Sequence, residues 1–154
     1  MRTLTFILLL FCFVVKAQLT TNTSLTPEQL IKNILTGKGV TVSNVTYVGE
    51  ADAVGEFDGS NSNIGISDGI ILSTGTVLNN PGSVTNKGPV GPNNNAGAST
   101  KWNAPGDVEL TNLIGDDTFD AAILEFDFIP QGDRVDFNYV FASEEYPEFV
   151  FSFN

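Results

Sequence analysis

The feature that most constrains this chain is a two-residue alternation of aromatic and aliphatic side chains towards its C-terminal end. In Ala121–Ile129, Leu124, Phe126 and Phe128 alternate with Ile123, Glu125 and Asp127. In the next segment Val135, Phe137, Tyr139 and Phe141 alternate with Asp136, Asn138, Val140 and Ala142. A period of two puts every second side chain on one face, as in β-strands with one apolar side. Pro130-Gln131-Gly132-Asp133 separates the two runs, and so short a link cannot make a parallel crossover. The expectation is therefore an antiparallel hairpin whose aromatic faces meet in one core. Phe149, Phe151 and Phe153 start another alternation that runs into the terminus. The chain is therefore expected to be cut in mid-strand, the N-terminal part of a longer protein.

Upstream, Thr26-Pro27-Glu28-Gln29 offers an N-cap, a proline at the first helical position and a capping-box partner. Leu30, Ile31, Ile34 and Leu35 then make one apolar face and Gly37 a stop, which predicts a helix of about ten residues that must pack on something else. Val40, Val42, Val45, Tyr47 and Val48 predict a strand closed by Gly49, and Ile70–Gly75 predicts a short buried strand. From Gly55 to Gly106 the chain is otherwise rich in Gly, Asn, Ser and Pro, turn-formers rather than repeats. Its middle, residues 79–105, reads as a surface excursion with functional potential. The expected fold is mainly β: an antiparallel sandwich or jelly-roll-like assembly with one short N-terminal helix.

The N-terminus gives an address. Arg2 precedes the apolar run Leu4–Val15, and small Val15 and Ala17 stand three and one residues before a cut ahead of Gln18. The run is too short for a bilayer span of about 20 residues, so residues 1–17 read as an export signal. Residues 18–25 then form a short lead and 26–154 the domain, which is secreted or held at the cell surface. Cys12, the single cysteine, leaves with the signal, so disulfides have no part in the exported chain.

Composition excludes much chemistry. There is no histidine, which removes Ser-His-Asp and Cys-His nucleophile systems and His-ligated metals. A net charge of −11 with seven unclustered cations is the opposite of a nucleic-acid footprint. Acids gather at Asp107 and Glu109, at Asp116, Asp117 and Asp120, and at Glu144, Glu145 and Glu148. Calcium takes six to eight oxygens from such Asp- and Asn-rich loops, and Asp107, Asp120, Glu144 and Glu145 are the candidate ligands; the bland alternative is a solvated acidic surface. On strict alternation from Phe141, Glu145 faces inward and needs a partner: an ion, Arg134 or backbone amides. A carboxylate-pair glycan hydrolase is the enzyme reading, but acids are too abundant for any pair to stand out, and the chain is read as non-catalytic. Trp102, in a Lys-Trp-Asn context, is a candidate ligand-stacking ring or an aromatic cap on the core.

Several segments together resemble a known family: Leu30–Leu35 with Gly37, Gly39–Tyr47, Gly69–Gly75, Gly106–Leu110, Asp120–Phe128 and, most specific, Tyr139–Phe149 (YVFASEEYPEF). The sequence resembles the choice-of-anchor L domain of bacterial secreted and surface proteins over nearly all of the exported chain. The resemblance implies an exported module lying upstream of a C-terminal anchoring signal, with no established activity. Where the family pattern often reads Gly-Asp-x-Asp-Leu, this chain has Gly106-Asp107-Val108-Glu109-Leu110, a longer acid in place of the second aspartate. The leading expectation is an extracellular module for adhesion or for contact with a protein, glycan or matrix ligand. A calcium-stabilised structural domain and part of a glycan-active hydrolase are the alternatives.

Overall fold

The computed structural model describes residues 19–37, 39–78 and 102–143. The export segment, most of the polar excursion, Glu144, Glu145, Glu148 and the Phe149–Phe153 alternation lie outside the described residues. The described chain is mainly β and antiparallel throughout, with short helices, as the sequence implies.

The N-terminal helix forms where its cap predicts. Thr26 Oγ1 accepts the Gln29 N–H at 3.2 Å and Gln29 Oε1 accepts the Thr26 N–H at 2.9 Å, a complete capping box. Helix α1 (Pro27–Leu30) then widens into a π-helical turn, Ile31–Leu35. Thr36, not Gly37, ends it: its backbone is extended, and both its N–H (3.0 Å) and its hydroxyl (2.9 Å) bond to the Ile31 carbonyl. The apolar face works as expected. Leu30 and Ile31 are 0% exposed, and with Leu19, Ala53, Val54 and Val77 they form the buried core. Full burial of one such side chain stabilises the fold by about 1.5–3 kcal/mol.

One sheet has three strands: β1 (Thr20–Asn22), β3 (Val54–Asp58) and β4 (Asp68–Leu72), with β3 in the middle. Strand β1 thus comes from the segment expected only as a lead. Strand β4 begins earlier than expected and is only half-buried; beyond it the chain runs beside Asp52 and Ala53, donating Ser73 N–H to Ala53 O and Val77 N–H to Asp52 O. Phe57 stands opposite Gly69, and its ring occupies the space where a side chain at 69 would stand.

The second sheet pairs β2 (Val40–Val48) with β5 (Ile123–Pro130). The half-buried residues of β2 are Val40, Val42, Val45 and Tyr47, so the inward phase shifts from even to odd positions. A β-bulge produces the shift: the register slips between Ser43 and Thr46, and Asn44 takes φ 52° while its amide bonds the Asp127 carboxylate. The main packing that joins the two sheets runs through the helix, with α1 against β2 and β3 and the π turn against β2 and β4.

The expected hairpin between Ala121–Ile129 and Val135–Ala142 does not form. Strand β5 gives its edge to β2, and Gln131 N–H donates to Gly39 O at 2.8 Å, so the chain passes the start of β2 instead of folding back. Residues 134–143 join no ladder and stand exposed.

Candidate functional site

Two regions bear on function. The first is the segment around the aspartates expected to bind calcium. Sequence reasoning overlooked a helix here, α2 (Val108–Ile114), although its signals are present: Asp107 caps it by accepting the Leu110 N–H at 2.6 Å, and Gly115 ends it in the left-handed conformation. Asp120, at φ 56°, accepts the Ala104 N–H at 2.7 Å and the Trp102 N–H at 3.3 Å, while its own N–H donates to Ala104 O. A bridge between Pro105 and Phe119 and a Thr111–Thr118 hydroxyl bond of 2.7 Å complete the knot.

The structure therefore brings Asp107 and Asp120 into one unit, with the Asp107 carboxylate accepting one backbone N–H and the Asp120 carboxylate two. Glu144 and Glu145 lie outside the described residues, and with them the question of an inward-facing Glu145. Arg134, offered as its partner, pairs with Asp136 at 2.7 Å. Among the described residues, no three acid or cysteine side chains gather into a group that could hold a metal. Trp102 is half-buried, and its indole N–H is enclosed with no acceptor. Its backbone N–H is held by Asp120, so the ring belongs to the same loop.

The second region is the segment that failed to form a hairpin. Phe137, Tyr139 and Phe141 are 69%, 75% and 81% exposed. The Phe137 and Tyr139 rings lie side by side, centroids 6.2 Å apart and planes inclined by 22°. Beside them an open groove of about 630 Å³ runs between Ile64–Ser67, in the β3–β4 connection, and Phe137–Val140. That volume falls within the range of ordinary ligand sites. The alternation of 135–141 was legible in the sequence; that it faces solvent was not.

The two cations among the described residues, Lys32 and Arg134, are both held by carboxylates, those of Glu28 and Asp136. The hydrogen bond and charge of Lys32 hold the Glu28 carboxyl below its usual range, and Ser60, through its hydroxyl and its N–H, does the same for Asp58. Burial, followed by the nearby Glu50 charge, pushes the Tyr47 phenol up. None of the three lines the groove.

Comparison with known families supplies the decisive observation: the model of the choice-of-anchor L domain matches residues 18–154. The chain belongs to the choice-of-anchor L family. No curated protein and no solved structure matched it. Membership bears out the resemblance carried by the Tyr139–Phe149 motif, and the match takes in every described residue. A choice-of-anchor domain implies a module of a secreted or cell-surface protein. No helix among the described residues is long and apolar enough to cross a membrane.

Proposed function

We propose that this choice-of-anchor L domain is a non-catalytic contact module, which meets an extracellular ligand or matrix through the 135–141 segment and the groove beside it. The observation that carries this reading is the exposure of Phe137, Tyr139 and Phe141 next to an open groove. Large exposed apolar patches on soluble proteins mark interaction sites. The lack of histidine supports a role in contact rather than in turnover.

The test is binding of the purified protein to a panel of extracellular proteins, glycans and whole cells, alongside Phe137→Ser and Tyr139→Ser variants. Both side chains are mostly solvent-exposed, so the variants keep the fold and lose the ligand. Binding that survives both substitutions unchanged, or no binding across the panel, rejects the reading.

A further inference from the structure

Residues 135–142 keep the alternation of a strand but have no partner strand among the described residues. Two residues of β-strand span about 6.6 Å, and the Phe137 and Tyr139 rings, two positions apart on one side, are 6.2 Å apart. That spacing suits the extended course that the two-residue alternation of the sequence implies. No ladder includes 135–142, and no backbone hydrogen bond ties them to another described residue. Across the groove, Ile64 and Ile66 repeat the two-residue apolar spacing on the facing wall. A row of unpaired N–H and C=O groups beside pockets for alternate side chains is how sheet edges recognise extended peptides.

We infer that the groove takes up an extended, basic-flanked polypeptide segment as an added strand along 135–141. The segment's backbone pairs with the N–H and C=O groups of 135–141 that no described strand takes up. Its alternate apolar side chains rest on Phe137 and Tyr139 and against Ile64 and Ile66. This rests on the contact-module reading and names the class of its partner. Unpaired backbone is what favours peptide over sugar: a glycan would stack on the rings but leave a row of amide groups unmet.

Charge selects among peptides. Asp68 directly follows one wall of the groove, and Asp133, four residues before the other wall, is exposed; Asp136 is paired with Arg134 and adds no net charge. Both described cations are already bound by carboxylates. A second copy of this acidic chain, an acidic peptide or an anionic polysaccharide would meet repulsion, whereas lysine or arginine at the ends of the segment would meet attraction.

The probe is a labelled decapeptide of alternating Val and Thr with two lysines at each end, titrated into the purified protein at low salt. Three comparisons accompany it: the same peptide N-methylated at four successive central residues, a glutamate-flanked version, and a panel of neutral oligosaccharides. The lysine-flanked peptide binds. N-methylation removes donors from both of its edges and weakens binding about tenfold or more, the loss of one to a few hydrogen bonds. Glutamate flanks weaken it by a similar factor, and added salt narrows that gap. Phe137→Ser weakens the peptide without moving the melting temperature.

Equal binding of the N-methylated peptide overturns the proposal, as does self-association of the protein that competes with the peptide. Binding of oligosaccharides but of no peptide overturns it and leaves the contact-module reading standing. Silence from peptides, oligosaccharides, proteins and cells overturns both.

Discussion

The two helices begin alike and end differently. Both carry a side-chain N-cap, Thr26 for α1 and Asp107 for α2, and both present leucine and isoleucine at neighbouring positions. Yet Leu30 and Ile31 are completely buried, while α2 buries none of its residues and leaves Leu113 82% exposed. The difference lies in what runs past each helix. Strands from both sheets pack around α1 and its π turn, whereas α2 is held by hydrogen bonds through Thr111, Thr118 and the 104–105 and 119–121 backbone. A cap and an apolar face specify a helix; only neighbouring strands turn that face into a core.

The comparison is most easily broken in the core. Leu30→Ala or Ile31→Ala should cost about 2–5 kcal/mol in urea denaturation, the range for emptying a buried aliphatic site. Leu113→Ala should stay within about 0.5 kcal/mol, as for surface positions. Equal costs at Leu30 and Leu113 would show that α2 is as deeply packed as α1.

A smaller effect separates packing from hydrogen bonding. Asp120→Ala leaves the Trp102 and Ala104 N–H groups without an acceptor and should cost about 1–3 kcal/mol. Asp120→Asn keeps an acceptor oxygen and a residue type that tolerates positive φ, so most of the stability should return. Trp102, held by the same carboxylate, reports the change through its fluorescence.

The caps sharpen the contrast further. Thr26→Ala and Asp107→Ala should each cost about 1 kcal/mol locally. The first should lower the midpoint of global unfolding, because its helix carries the core. The second should appear mainly as faster amide exchange at Leu110, because its helix can open while the core remains closed.

Acid and alkali give the smallest effects. The depressed Glu28 and Asp58 carboxyls contribute stability above their ordinary values of 4.5 and 3.8, which is lost as pH falls through their lower folded values. Both groups are on the surface, so the change in melting temperature should be slight and should shrink with salt. The raised Tyr47 phenol works in the opposite sense: its contribution is complete below pH 10 and is lost as pH rises through the folded value. Following phenolate absorbance during alkaline unfolding should show Tyr47 ionising late, and Tyr47→Phe should remove that late phase.

Where local chemistry decides, the fold was legible in the sequence. The capping box at Thr26, the alternation that became β5, and the strand Val40–Val48 all appear where read. Even the bulge left a trace, since the apolar positions pass from 40 and 42 to 45 and 47, a phase slip that a regular strand cannot contain. What escaped were elements defined by pairing. Strand β1 is three residues long, β3 holds a glycine and two acids, and neither stands out without β4 beside it. The hairpin failed for the same reason: alternation shows that 135–141 has an apolar face, while the Gln131–Gly39 hydrogen bond decides where that face is carried. For the candidate site, the sequence drew attention to acids and to Trp102. In the structure Asp107 and Asp120 hold backbone, Trp102 is half-buried in the loop that Asp120 holds, and Phe137 and Tyr139 are exposed.

The ring of Phe57 lying over Gly69 ties two positions twelve residues apart into one unit of inheritance. A lineage that gains a methyl group at 69 must turn the ring at 57 aside or surrender it. One that loses the ring leaves a bare patch of backbone that a larger neighbour at 69 can then fill. Drift at this corner of the sheet should therefore favour paired steps over single changes.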